Sequence, residues 1–348
     1  MRRTLTAIIA LATAAVIIPA ADACTRIVYE GAGSSHFVGR TMDWATETGT
    51  DLWAFPAGLK RDGGVGEASI GWTSKYGSVI SGFYNIATVD GVNDAGLAGN
   101  VLYLAESDYG DYKTSGKPLL SVGAWLQYVL DNYGTVAEAV DALAKEPFAL
   151  VAPVLPDGHA ATGHLALADK TGDSAIFEYI GGKLRIHHGK QYNVMTNSPS
   201  FDQQLAISTY WDSVGGANFL PGTSRAADRF ARMSWMLNAV PPGQAEDAAV
   251  AEVMSLTRAI SVPLGIQDPK APNIAATRWR TAADLSANRY FFESVHNPSI
   301  FWVDLGNLDL KPGAPSLKLD LQGKPILAGE VSKEFKAAEP FKFLAPAP

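Results

Sequence analysis

Strand-like segments dominate the first hundred residues. Thr25–Tyr29 alternates apolar and polar positions and is rich in β-branched side chains, and Lys75–Ser81 and Ile86–Asp90 repeat the pattern, with glycines between them as turns. The period then changes. Val122, Trp125, Val129 and Leu130 recur at helical spacing and predict a helix over Ser121–Leu130. Thr135-Val136-Ala137-Glu138 follows as a capping box, in which a hydroxyl and a carboxylate satisfy the first free N–H groups of a helix running to about Lys145. Period-2 segments return at His164–Asp169, Ala175–Ile180 and Lys183–His188. Lys170–Asp173 closes the first turn, and Gly181-Gly182 closes the second as a two-residue hairpin loop where positive φ is cheap. Tyr192–Thr196 reads as a further strand, Arg225–Leu237 and Ala245–Ile260 as helices, and Thr277–Ala283, Arg289–Val295 and Ile300–Asp304 as strands. Blocks of strands beside blocks of helices indicate an α+β layered fold rather than a βαβ alternation. The tail beyond Lys311 holds six prolines and is expected to run extended over the surface or onto a neighbouring subunit.

The N-terminal stretch has another logic. Arg2 and Arg3 precede an uncharged, mostly apolar run from Thr4 to Ile18; Pro19 breaks it, and Ala21-Asp22-Ala23 offers the small-x-small site of a signal peptidase. The reading is a signal peptide over residues 1–23 and one domain over 24–348, exported to the periplasm. Removing Arg2, Arg3 and Asp22 takes the formal charge from −7 to −8, and no basic run suggests a nucleic-acid partner. Beyond the leader no apolar stretch approaches the ~20 residues that span a bilayer, so no membrane partner is expected either.

Cleavage after Ala23 would leave Cys24 first. It is the only cysteine among 348 residues. An exported protein normally uses cysteines in pairs, so a lone one points to an intermolecular link, a small buried hydrophobe or a reactive thiol. At the mature N-terminus it carries a thiol and an α-amine on one residue, a nucleophile beside a base. The free amine, with pKa ~7.7–8.0, lies close enough to a thiol near ~8.5 to exchange a proton with it. Lipidation of Cys24 is the competing reading, although lipoprotein signals usually carry Leu three positions before the cysteine, where this chain has Ala21. Arg40 and Asp43, in Gly39-Arg40-Thr41-Met42-Asp43-Trp44, are candidates to lie near the sulfur and to hold the amine by a charge-assisted hydrogen bond. Taken alone, an Arg and an Asp three apart read equally as a surface ion pair.

Cys24-Thr25-Arg26 and Gly39–Trp44, together with Thr73–Ser78, Asp90–Leu97, Met195–Pro199, Leu220-Pro221-Gly222 and Asp228-Arg229-Phe230, resemble the choloylglycine hydrolase family in order and spacing. These are N-terminal-nucleophile hydrolases that include penicillin V acylases and bile salt hydrolases, and the exported chain with this tail looks like the Gram-negative penicillin V acylase branch. The resemblance implies a four-layer αββα sandwich and hydrolysis of linear amide C–N bonds in a small acyl-amide substrate. It further implies no metal or organic cofactor and a homotetramer. Residue by residue it makes Cys24 the nucleophile and its amine the proton carrier. Arg40 and Asp43 become the pair beside the nucleophile, Asn197 an oxyanion donor, the Tyr103 backbone N–H a second donor, and Arg229 the completion of the polar network. Tyr103 stands where bile salt hydrolases have Asn and Gram-positive penicillin V acylases have Tyr, which disfavours bile salts. Trp44 and Tyr103 become substrate-wall residues.

Other features weigh less. His187 and His188 are neighbours on a strand and point to opposite faces, so they cannot share a metal. Gly63, Gly64 and Gly66 cluster without a following Lys-Ser/Thr and read as a turn, not a phosphate loop. Trp53, Trp72, Tyr76 and Phe83 could line an acyl pocket but read more simply as core. Within the hydrolases the alternative is a bile salt hydrolase; from other classes stand a lipid-anchored envelope binding protein that uses Cys24 only as an anchor, and a catalytically silent structural relative.

Overall fold

The computed structural model describes residues 24–266, 275–297 and 299–346. The leader read over residues 1–23 lies outside them. Strand β1 (Thr25–Glu30) turns through a short 3-10 segment into β2 (His36–Trp44), with Thr25 opposite Thr41 and Glu30 opposite His36. All nine residues of β2 are buried, as expected for a strand covered on both faces. On its other side β2 pairs with Ala276–Asp284, placing it inside a seven-stranded sheet whose order runs Val194–Thr196, β1, β2, Ala276–Asp284, Arg289–Ser294, Phe301–Asp304, Gly329–Glu330. A nine-stranded sheet faces it. Its centre is the antiparallel set Ser78–Phe83, Ala87–Asn93, Leu97–Leu102, His164–Asp169 and Ser174–Ile180.

Helices cover both outer faces. Helices α1 (Val122–Asn132) and α2 (Val136–Leu143) pack on the nine-stranded sheet. Of α3 (Phe201–Val214), α4 (Ala226–Ala239) and α5 (Glu246–Ile260), the last lies on β2 and the strand Ala276–Asp284, and α4 on β1 and Val194–Thr196. Glycine permits the closest approach on each side. A Cβ at Gly39 would sit 2.6 Å from Val253 of α5, and one at Gly99 would sit 2.3 Å from Leu126 of α1. Between the sheets the core is apolar but crossed by buried polar ties. Arg26 donates to the Leu167 carbonyl at 2.8 Å, Arg40 to the Val89 carbonyl at 2.9 Å, and the Tyr290 hydroxyl to Asp90. The result is the expected four-layer αββα arrangement.

Most predicted elements appear within a residue or two, and the departures have local causes. Lys75 and Tyr76 are not in the strand, which starts at Ser78, because both amides donate to the Asp131 carbonyl at the end of α1. The capping box forms with a shift: Thr135 accepts from the Glu138 amide at 3.2 Å, but the Glu138 carboxylate accepts from Gly134 instead of Thr135. Helix α2 stops at Leu143, ahead of Glu146 at φ +46° and Pro147. Gly181 and Gly182 both take positive φ, as their hairpin requires.

The proline-rich tail runs extended over the surface as expected, and parts of it add short strands at the sheet edges. Leu317–Leu319 adds to Leu52–Phe55 at one end of the nine-stranded sheet, with Lys336–Ala337 outside it, and Gly329–Glu330 extends the seven-stranded sheet in parallel. Phe341 meets the Trp53 ring edge-on at 5.4 Å. The Leu344 amide donates to the Ile86 carbonyl at 2.9 Å and Leu344 accepts from Ser121 at 2.7 Å. Among the described residues the tail is engaged within its own chain, at the edges of both sheets.

Candidate active site

Register brings the site together. Thr25 faces Thr41 on one side and Thr196 on the other, so the residues next along, Met42 and Asn197, flank Cys24. The Cys24 sulfur accepts from the Asp43 amide at 3.4 Å and lies 3.9 Å from the Met42 sulfur. The thiol is 2% exposed and lines a cavity.

Asp43 is wholly buried. Its Oδ2 accepts from Thr41 at 3.1 Å and lies 3.8 Å from Arg229, and the Thr277 hydroxyl also favours the ionised carboxylate. Burial pushes its pKa up to about 6, and the nearby Arg229 only partly offsets this. Arg229 comes from α4 and is equally buried. It donates to the Cys24 carbonyl at 2.8 Å, to the Thr25 hydroxyl, to the Ser224 carbonyl at 2.9 Å and to Asn197 Oδ1 at 3.3 Å. Burial lowers its pKa to about 10, and the Asp43 carboxylate and Cys24 thiol work against that fall, so it stays a cation at neutral pH. Five donors in a planar fork suit such a junction better than a lysine would.

Asn197 follows the strand Val194–Thr196. Its amide nitrogen donates to the Tyr103 carbonyl at 2.8 Å, tying the end of one sheet to the end of the other. An amide nitrogen has two protons, so this bond leaves one more to donate.

Arg40 lines the same cavity as the thiol but is engaged elsewhere. It pairs with Asp90 at 3.4 Å, donates to the Val89 and Val101 carbonyls, and lies 4.8 Å from the Trp279 ring centroid. Its link towards the sulfur runs through Met42, whose Sδ lies 3.7 Å from the guanidinium. The Arg229 charge also couples to Cys24.

The rest of the cavity wall is apolar. Trp44 stands edge-on to Phe83 at 5.2 Å and to Tyr103 at 5.9 Å, and all three line the cavity. Of the other aromatic candidates, Trp53 and Trp72 belong to the core beneath α1 and Tyr76 is not among the lining residues. His187 contacts Asp202 and His188 contacts Asp173, on opposite faces of their strand. Sequence reasoning gave no role to Thr25, Thr41 or Met42, each of which supports the cluster. Alternation marks them as strand residues, and nothing local shows which face meets the thiol.

Comparison with known proteins agrees with this geometry. The family model described as linear amide C–N hydrolases, choloylglycine hydrolase family, matches residues 24–324 and so begins at Cys24. A penicillin V acylase of Pectobacterium atrosepticum is 51% identical over 345 residues, covering 92% of each chain. The solved penicillin V acylase of Agrobacterium tumefaciens superposes with a TM-score of 0.86 at 51% identity, covering 92% of this chain and all of that one. A variant of the conjugated bile acid hydrolase of Clostridium perfringens, at 21% identity and TM-score 0.74 over 85% of this chain and 97% of its own, shares the fold. The chain belongs to the choloylglycine hydrolase family and is a cysteine N-terminal-nucleophile hydrolase of linear amide C–N bonds.

Proposed function

We propose that the chain is exported, loses residues 1–23, and cleaves acyl amides whose acyl group is flat or flexible and apolar, phenoxyacetyl amides of the penicillin V type above all. The observation that carries this is the Cys24 thiol lining an apolar cavity with Trp44, Phe83 and Tyr103 in its wall. Cleavage before Cys24 frees an α-amine, and the buried Asp43, whose amide already reaches the Cys24 sulfur, offers a carboxylate to accept from it. The amine takes the thiol proton as sulfur attacks the amide carbonyl. The second Asn197 amide proton and the Tyr103 N–H receive the oxyanion, and Arg229 holds Asn197 and the chain start in place. The C–N bond then breaks, the amine delivers its proton to the leaving nitrogen, and a thioester remains on Cys24. Water adds to the thioester, the acyl group leaves as a carboxylic acid, and the thiol is restored. No step calls for a metal or organic cofactor.

Tyr103 and the aromatic wall favour this class over conjugated bile acids, since a steroid needs a wider mouth. Long-chain N-acyl-homoserine lactones carry acyl groups of the favoured kind and are the second substrate class. A lipid on Cys24 would have to occupy the cavity that the buried thiol faces, which argues against an anchor. Periplasmic location and a homotetramer are part of the proposal and rest on the leader and the family resemblance. The test is a hydrolysis panel of penicillin V, a decanoyl homoserine lactone and glycocholate on the processed enzyme, with its intact mass. Best turnover of glycocholate, or a lipid mass on Cys24, would overturn the reading.

A further inference from the structure

Trp44, in the cavity wall, makes a polar tie that the reaction above does not use. The chain between Ala152 and Gly163 makes a small hairpin: Val154 bridges Ala160, the Leu155 amide donates to the His159 carbonyl at 2.7 Å, and Gly158 turns the chain at φ +89°. Leu155, Ala161 and Thr162 from this segment face the cavity. Asp157, at the tip, reaches the opposite wall. Its Oδ2 accepts from the Trp44 indole N–H at 2.7 Å and from the Tyr84 hydroxyl at 3.2 Å, while Oδ1 accepts from the His159 amide at 3.2 Å. Only 13% of the side chain is exposed. The Trp44 ring is also met edge-on by His159 at 5.8 Å, so the hairpin grips it through both a carboxylate and a ring.

We propose that Asp157 is a positioning residue that sets acyl-group selectivity, latching the 154–160 hairpin to Trp44 and Tyr84 and thereby fixing how wide the cavity can open. The physical case is one of strength and place. An indole N–H bonded to a carboxylate is charge-assisted and roughly twice as strong as a neutral pair, and here it is largely shielded from water. The latch joins two segments that share no strand pairing, so the width between them depends on it. The Trp44 ring is also held against Phe83 and Tyr103. With the latch intact a flat phenoxyacetyl group meets a fixed aromatic wall. With the latch gone Leu155 and Trp44 can separate and admit a longer, bulkier chain.

This inference rests on the acyl-pocket reading above, and one experiment separates the two. The processed wild-type enzyme, Asp157→Ala, Asp157→Asn and Tyr84→Phe are each assayed for kcat and KM on penicillin V and on decanoyl homoserine lactone, with Tm recorded. For Asp157→Ala the ratio of kcat/KM, decanoyl over phenoxyacetyl, should rise about tenfold, carried by KM with kcat little changed. Asp157→Asn keeps an oxygen for the Trp44 N–H and should recover most of the native ratio. Tyr84→Phe should move the ratio the same way by less. An unchanged ratio in Asp157→Ala, or equal losses on both substrates that track Tm, would overturn the latch and leave the pocket reading standing. A wild-type enzyme that turns over neither substrate would instead sink the pocket reading and the latch with it.

Discussion

The cavity joins two regions built in opposite ways. At its polar end Cys24, Asp43, Asn197 and Arg229 are all buried, each on or directly beside a strand or helix, and tied by hydrogen bonds that span up to 205 residues of sequence. Around its apolar mouth Phe83, Leu155, Ala161 and Thr162 come from strand ends and a hairpin, and a single carboxylate carries much of the connection. The polar end is built on the seven-stranded sheet and α4. The mouth can be recut without touching the thiol. Such a division keeps bond cleavage constant while the acyl group varies, consistent with one fold serving both penicillin V and conjugated bile acid hydrolases.

The comparison breaks most completely if the polar end loses its amine. A chain that keeps Ala23 before Cys24, verified by mass, presents a neutral amide where the proton carrier belongs. Turnover should be abolished, and full activity would remove the amine from the mechanism. Next comes Asn197→Ala, which should lower kcat by about 10²–10³ on every substrate alike, since an oxyanion donor acts only in the transition state. Because Asn197 also bonds Tyr103 and Arg229, some stability goes too; an unchanged kcat with a lowered Tm would reduce Asn197 to a strut.

Effects at the mouth should be smaller and should differ between substrates. Penicillin V should exceed glycocholate in kcat/KM by roughly 10–200-fold, the 1–3 kcal/mol that pocket shape commonly supplies. Phe83→Ala should narrow that gap while leaving kcat on penicillin V within a few-fold; an equal loss on both would place Phe83 with the core instead. The gentlest probe is pH. Asp43 must be ionised to grip the ammonium of Cys24, and burial raises its pKa to about 6, so kcat/KM should fall as pH drops through about 6 and be preserved above it. The free amine's positive charge would pull that limb lower. A limb centred above pH 7 would belong to another group.

Much of this division could be read from the residues themselves. Cys24 stands out by position and rarity, whereas Arg40 and Asp43 read alone as a surface ion pair and gain their place only from the family pattern. The hairpin Gly181-Gly182 and the helix at Val122–Asn132 followed from turn chemistry and periodicity. What could not be read was distance through space. Arg229 and Cys24 meet only because α4 packs on β1, and only the family pattern pointed to it. Helix α3 escaped notice because just Phe201, Gln204 and Ser208 are buried, so it shows no apolar stripe. Asp157 escaped because Pro-Asp-Gly reads as an ordinary turn, and its partners lie more than 70 positions away. The tail's short edge strands were hidden by its prolines, which suit edge strands as well as extended surface segments.

The antiparallel pairing of β2 with Ala276–Asp284 has a consequence for the order in which the molecule comes into being. Synthesis delivers the thiol near the start, Arg229 two-thirds of the way along, and the strand that encloses β2 later still. A nascent or prematurely released chain therefore carries Cys24 without the arginine, the asparagine or the covered strand that make it useful. Contacts this distant in sequence form late in folding. A copy cut short of Ala276–Asp284 therefore carries its thiol beside a strand with one edge unpaired.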